Sequence, residues 1–277
     1  MRRRSQAMIK TRRVRNIFMA PFAVWSILFI IVPLILIAGY AFTAEEGGFT
    51  LSNLAIMGRW EYRKTLWLSV ALALISTVFC LLIAYPLCLI LAQWKLKKGS
   101  ELILLYALPL WMNSLLSTMA WQTILERNGL INQLMRLIGL PDLHLINTPF
   151  AIVLGMIYNF LPYMILPLYT VLSAIAVHLK EAAQDLGAGP WHTFLHVILP
   201  LSVPGIISGI TLVFIPSLTT FVISAMLGGG KILLIGNIIE QEFTATYNWH
   251  LGSGLSMFLM IFIIFNMILS AVFERNE

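Results

Sequence analysis

The stretch "KEAAQDLGAGPWHTFLHVILP", residues 180–200, sets two acids, two histidines and a Gly-Ala-Gly-Pro break between two unbroken hydrophobic runs. Glu181 to Leu186 are helix formers, Gly187 and Gly189 permit a sharp reversal, and Pro190 suits the first position of a new helix. Trp191, Phe194 and Leu195 then make an apolar edge on that second helix. The stretch reads as helix, turn, helix. An aromatic edge is costly in water, and two covers would relieve it: lipid headgroups, or a groove in another protein.

The rest of the chain says where this reversal lies. Of 277 residues, 59% are hydrophobic and 11% charged, with a mean hydropathy of +0.88. A soluble domain carries roughly a quarter charged residues, so this composition belongs to a membrane protein. Charges cluster between six uncharged stretches, each able to supply the ~20 apolar residues of a spanning helix. The spans are placed near 19–42, 67–92, 102–125, 149–172, 199–227 and 251–273, with a connection at 179–198. Barrel strands would alternate in polarity, and these runs do not. The expected fold is all-α: one membrane domain over 19–273, a basic segment at 1–18 and a short tail at 274–277.

A net charge of +6 raises nucleic acid as a partner, but the distribution points to a membrane instead. Seven of the 18 basic residues (Arg2, Arg3, Arg4, Lys10, Arg12, Arg13, Arg15) precede the first span. The positive-inside rule reads them as a cytoplasmic anchor. With that end inside, Lys95, Lys97 and Lys98 after span two, Lys180 after span four and Arg275 at the end are cytoplasmic too. Both termini then face the cytoplasm, and so does the 180–200 reversal. Cys80 and Cys88 sit ~12 Å apart along span two, beyond disulfide reach, and are read as packing residues.

Two further helix signals stand outside this pattern. In "NGLINQLMRLIGLPD" (128–142), Leu130, Leu134, Leu137 and Ile138 share one helical face, with Asn128 as N-cap and Gly139 near the C-cap. A short helix lying on the outer surface is expected. In "NTPF" (147–150), Thr148 caps span four and Pro149 takes its first position.

Polar residues and prolines mark the interior. Pro109, Pro162, Pro167, Pro200, Pro204 and Pro216 fall in or at the edge of spans three to five, where an interior proline removes a backbone hydrogen bond. Ser114, Ser117, Thr118 and Trp121 recur on one face of span three beside Trp111 and Asn113, while span four adds Tyr158 and Asn159. Such residues line a watery path or mediate helix contacts in lipid. The six spans contain no Asp, Glu, Lys or Arg, which disfavours a self-contained proton-driven carrier. "MLGGGKI" (226–232) is no phosphate loop, since Ala225 stands at the first glycine's place and Ile232 where Ser or Thr would bind magnesium. Motifs of catalysis are missing as well, so the chain is expected not to be an enzyme, to bind no cofactor or metal, and not to hydrolyse ATP by itself.

The opening stretch resembles the EAA motif of ATP-binding-cassette importer permeases: Glu-Ala-Ala, three residues, Gly, nine residues, then Ile-x-Leu-Pro. Glu181, Ala182, Ala183, Gly187, Leu199 and Pro200 stand at that spacing, with Val197 in the isoleucine place. More finely, "PLWMNSLL" (109–116), "LPYMILPLY" (161–169), "EAAQDLGA" (181–188) and "GGGKILLIGNIIEQEF" (228–243) are similar to PotB-type permeases of spermidine/putrescine importers. The resemblance implies the type I, MetI-like six-span fold in a bacterial inner membrane, with the 179–198 loop as the coupling element. Glu181, Ala182, Ala183, Gly187, Trp191, Phe194, Leu199 and Pro200 would contact an ATPase that binds ATP and Mg. It also implies a heterodimer with a second related permease, two ATPase copies and an extracytoplasmic polyamine-binding protein.

A polycation leaving water wants carboxylates, carbonyl dipoles or aromatic faces. The pathway is therefore expected to use Trp111, Asn113, Ser114, Tyr158 and Asn159, with charge compensation from Glu240 and Glu242 near the outer mouth or from the second permease. A plain solvated loop would equally hold those two acids. A same-fold permease for another solute, or an autonomous channel or carrier, are the competing functions.

Overall fold

Long uncharged runs in lipid have one way to satisfy their backbone, which is to close hydrogen bonds within each segment. The computed structural model, which describes residues 19–93 and 106–275, is helical along most of that length. In chain order the helices are α1 Met19–Ala41, α2 Trp60–Gln93, α3 Ser114–Leu125, α4 Leu130–Leu137 and α5 Pro149–Ala174. There follow α6 Val177–Asp185, α7 Pro190–Thr219, α8 Val222–Leu227, α9 Ile235–Thr244 and α10 Trp249–Arg275. Among the described residues five helices, α1, α2, α5, α7 and α10, are long and apolar enough to cross a membrane. The 1–18 segment, Lys95, Lys97, Lys98, the first residues of the third predicted span (102–105) and the last two of the tail lie outside the described residues.

The core is built on α5, with α2 and α7 packed along it. Gly205 and Gly209 form a small-xxx-small face on α7 that allows this approach. A Cβ at Gly205 would stand 3.0 Å from Cβ of Val171 and 3.2 Å from the Pro167 carbonyl, and one at Gly209 would stand 2.5 Å from Sδ of Met164. Cys80 and Cys88 are buried, unpaired thiols in the same seam. Cys88 lies 3.6 Å from the Ile165 carbonyl, so it fills space between α2 and α5. α1 leans on α10, where Nδ1 of His250 donates to the Thr43 carbonyl at 2.7 Å and the Asn53 amide donates to the same oxygen at 2.9 Å.

Two predicted spans are not continuous. Span three, expected over 102–125, is interrupted: Leu108–Trp111 form a tight 3₁₀ turn around Pro109, Met112 is extended, and α3 begins only at Ser114. Span five, expected over 199–227, begins earlier and breaks later. α7 starts at Pro190 and runs 30 residues to Thr219, then Thr220 turns extended and α8 begins at Val222. The second short helix expected within 180–200 is therefore the first part of α7. Pro200 does not divide them because a wide π turn over Phe194–Ile198 makes room for its ring and absorbs its missing N–H. The same device, Ile27–Ile31, precedes Pro33 in α1.

The connection from α3 to α5 carries α4 as a surface helix. Its cap is Gly129 rather than Asn128, and Gly139 closes its end at φ +75°. Buried Asn132 anchors it, exchanging hydrogen bonds with the Leu143 backbone at 2.8 and 3.1 Å. Leu130, Leu134, Leu137 and Ile138 all face outward. The Arg136 guanidinium, hydrogen-bonded to Asp142 at 2.7 Å, holds that carboxyl below its usual range. This support is present above the ordinary carboxylate pKa and is lost as pH falls through the depressed value. At the head of α5, Thr148 caps by accepting from the Ala151 N–H at 3.3 Å, with Pro149 next.

Overpacking the α5–α7 seam should destabilise the fold. Gly205→Leu is expected to cost about 1–3 kcal/mol and to lower the detergent melting temperature. Gly39→Ala, where a Cβ meets nothing within 4 Å, should leave it unchanged.

Candidate functional site: a helix reversal and a cavity at two helix breaks

The reversal between α6 and α7 is closed by its own backbone. Gly187 sits at φ +85°, its N–H donates to the Gln184 carbonyl at 2.8 Å, and the Ala188 N–H donates to the Ala183 carbonyl at 3.0 Å. This pair of bonds is the Schellman helix end, which favours glycine at the left-handed position. Gly189 then caps α7 and Pro190 is its first residue. The spacing from Ala183 to Gly187 is thus fixed by hydrogen-bond geometry.

Around this turn the apolar edge is open. Leu186 is 89% and Trp191 70% exposed, and Glu181 and Ala182 also face outward. Trp191 stacks on Phe194 at 5.4 Å, Phe194 meets the Tyr85 ring of α2 edge-on at 5.9 Å, and the Tyr85 hydroxyl is 2.8 Å from that of Ser202. A push on Trp191 therefore reaches both α2 and α7. Beneath the turn a cavity of about 560 Å³ is walled by Ala183, Gly187, His192, Thr193 and His196, and the buried Thr193 hydroxyl has no hydrogen-bond partner among the described residues. Leu199 is half-buried and Pro200 exposed.

A second cavity, of about 290 Å³, lies where the two helix breaks meet. Pro109 and Met112 from the first break, Thr219, Thr220 and Phe221 from the second, and Ser114, Asn159 and Tyr163 wall it. Of the residues predicted for the path, Ser114 and Asn159 come together here. Trp111, 84% exposed, stands outside the lining, and Asn113 is occupied as the α3 cap, accepting from the Leu115 N–H at 2.9 Å. Tyr158 packs edge-on against Trp121 at 5.6 Å, bracing α5 against α3. Ser117 and Thr118 are buried with hydroxyls returned to their own helix. Glu240 faces a neighbouring cavity that shares Thr219 and Phe221, whereas Glu242 lines neither and accepts from Thr246.

The sequence reading missed Gly236 and Asn237, which hold the second break. A Cβ at Gly236 would stand 2.6 and 2.8 Å from the carbonyls of Thr219 and Thr220, so only glycine lets α9 close on the interrupted backbone. Buried Asn237 donates to the Phe221 carbonyl at 2.9 Å and accepts from the Leu234 N–H at 3.0 Å and from Ser224. Their place in "IGNIIE" carried only a weak signal, since a small residue before an amide is common in loops.

The chain as a whole is similar to known proteins. Residues 55–277 match the family described as binding-protein-dependent transport system inner membrane component. The chain belongs to that family. Among relatives, the spermidine/putrescine transport system permease protein PotB of Haemophilus influenzae is 35% identical over 245 residues, 86% of each chain. The protein of the same name from Escherichia coli K12 is 35% identical over 86% of this chain and 89% of its own. A solved bacterial ABC transporter for import of alginate superposes with a TM-score of 0.79 at 16% identity, covering 97% of this chain and 98% of that one. The inward-facing MetNI methionine ABC transporter gives 0.57 at 20% identity over 78% and 96%. The fold is thus that of a multi-pass importer permease, the MetI-like architecture, with α1 preceding the part that the family match covers.

Replacing Asn237 by Leu leaves the Leu234 N–H unmet and should cost about 1–3 kcal/mol. Thermal unfolding of the purified protein checks it.

Proposed function

We propose that this chain is the non-catalytic transmembrane permease of an ATP-driven importer for polyamines such as spermidine and putrescine. It works beside a second, related permease, two ATPase copies that hold the ATP and Mg, and an extracytoplasmic binding protein that delivers the solute. The observation that carries the reading is the 35% identity, over most of both chains, to permeases named for that solute class. Chemistry supports it: the cavity at the two breaks is walled by Ser114, Asn159, Thr219 and Thr220 and by Phe160, Tyr163 and Phe221, and among the described residues its lining has no basic side chain. Carbonyl dipoles and aromatic faces suit an ammonium, while an anion would call for Arg or Lys. A path with no charge of its own binds weakly and lets go quickly.

In this reading both termini and the α6–α7 reversal face the cytoplasm, and Leu186 and Trp191 insert in a groove of the ATPase. Closure of the ATPase pair on ATP moves the reversal. Phe194 and Tyr85 carry that motion into α2, and α7 carries it to Thr219 and Thr220 at the cavity wall.

Deleting the gene in a host with no other polyamine system should abolish uptake of labelled spermidine and putrescine; undiminished uptake of both rejects the substrate class. Gly187→Trp tests the coupling. Among the described residues a Cβ there meets nothing within 4 Å, so the ring would project into whatever docks on the turn. Gly187→Ala, which carries the same left-handed strain at φ +85° without the ring, is the control and should keep most uptake. With Gly187→Trp uptake should fall at least tenfold while membrane insertion is retained, and full uptake would remove the turn from the mechanism.

A further inference from the structure

α9 presents a feature that the central cavity does not use. Between α9, α10 and the end of α7 lies a cavity of about 530 Å³ whose walls are largely apolar, among them Phe221, Ile239, Phe243, Leu259 and Met260. Among the described residues, Glu240 is the one charged side chain that lines it. Its Oε1 accepts from the Thr244 hydroxyl at 2.9 Å. The ion pairs among the described residues are those of Asp142 with Arg127 and Arg136, so Glu240 has no cationic partner of its own there. A carboxylate against an apolar wall in a membrane protein is stable when a cation meets it. The walls state the rest of the ligand: methylenes gain by lying on Ile239, Leu259 and Met260, and the rings of Phe221 and Phe243 attract positive charge. Thr219 and Phe221 also wall the central cavity, so a ligand here adjoins the path.

We propose that this side cavity is a binding site for an aliphatic ammonium ion, with one charged end on Glu240 and the alkyl chain along the α9–α10 wall. The site rests on the polyamine reading and makes Glu240 a determinant of which polyamine passes. An amine-bearing lipid headgroup has the same end chemistry, and the test separates the two.

The assembled transporter, with its ATPase and binding protein, is reconstituted in phosphatidylcholine/phosphatidylglycerol vesicles carrying Met260→Cys. The two native cysteines are buried, so maleimide labelling reports on the cavity. Putrescine or spermidine should slow labelling at least fivefold, and Glu240→Gln should abolish that protection. In the otherwise native transporter, Glu240→Gln should cut maximal uptake about tenfold and change the spermidine-to-putrescine ratio, with Glu240→Asp restoring most of both and ATPase stimulation by the binding protein unaltered. If native uptake is normal but polyamines never slow labelling of the Met260→Cys variant, the site is refuted and the import function stands. Protection that appears only when phosphatidylethanolamine is added assigns the cavity to lipid and overturns the proposal. A native transporter that moves no polyamine overturns both.

Discussion

A helix interrupted inside a bilayer frees carbonyls and amides that lipid cannot satisfy, and everything central to this protein is arranged around two such interruptions. At Leu108–Asn113 the freed groups are met locally, by a tight turn and by the Asn113 cap. At the second break the Phe221 carbonyl is met from a distance, by the amide of Asn237, and Gly236 lets α9 come close enough for this. Because protein must gather where backbone is freed, the two breaks converge, and the space they cannot fill is the cavity to which Ser114, Asn159 and Thr219 bring polar groups.

The second break also ends the helix that begins at the reversal. α7 is 30 residues long, so at 1.5 Å per residue it spans ~45 Å from Pro190 to the cavity wall. The wide turn at Phe194–Ile198 keeps it continuous past Pro200, and Gly205 and Gly209 let it pack closely on α5. Reversal and cavity are thus joined by one helix, with Pro204 and Pro216 in its interior. Lateral support comes through Phe194 to Tyr85 of α2, which lies immediately before Pro86, a point where that helix lacks one backbone bond.

Local rules were the ones readable in the sequence. The Ala183–Gly187 helix end, the Thr148–Pro149 start and the Gly139 stop each depend on residues within five positions of one another. The spans follow from length and hydropathy alone. What escaped were contacts made across the chain: Gly209 against Met164, Gly236 against Thr219, and the amide of Asn237 on Phe221. Pro216 marked this run, but the break at Thr220 could not be placed from it, because the compensation lies sixteen residues beyond Phe221. In the same way Asn113 read as a path residue, and the structure shows that its Oδ1 also caps α3.

In the function proposed above, the exposed Leu186–Trp191 reversal is seated in an ATP-hydrolysing subunit. A photoreactive amino acid at position 186, illuminated in the assembled transporter within native membranes, tests it most directly. The account predicts a single dominant adduct with the ATPase, weakened when nucleotide state changes; an adduct only with lipid, or with a protein on the other face of the membrane, would contradict it.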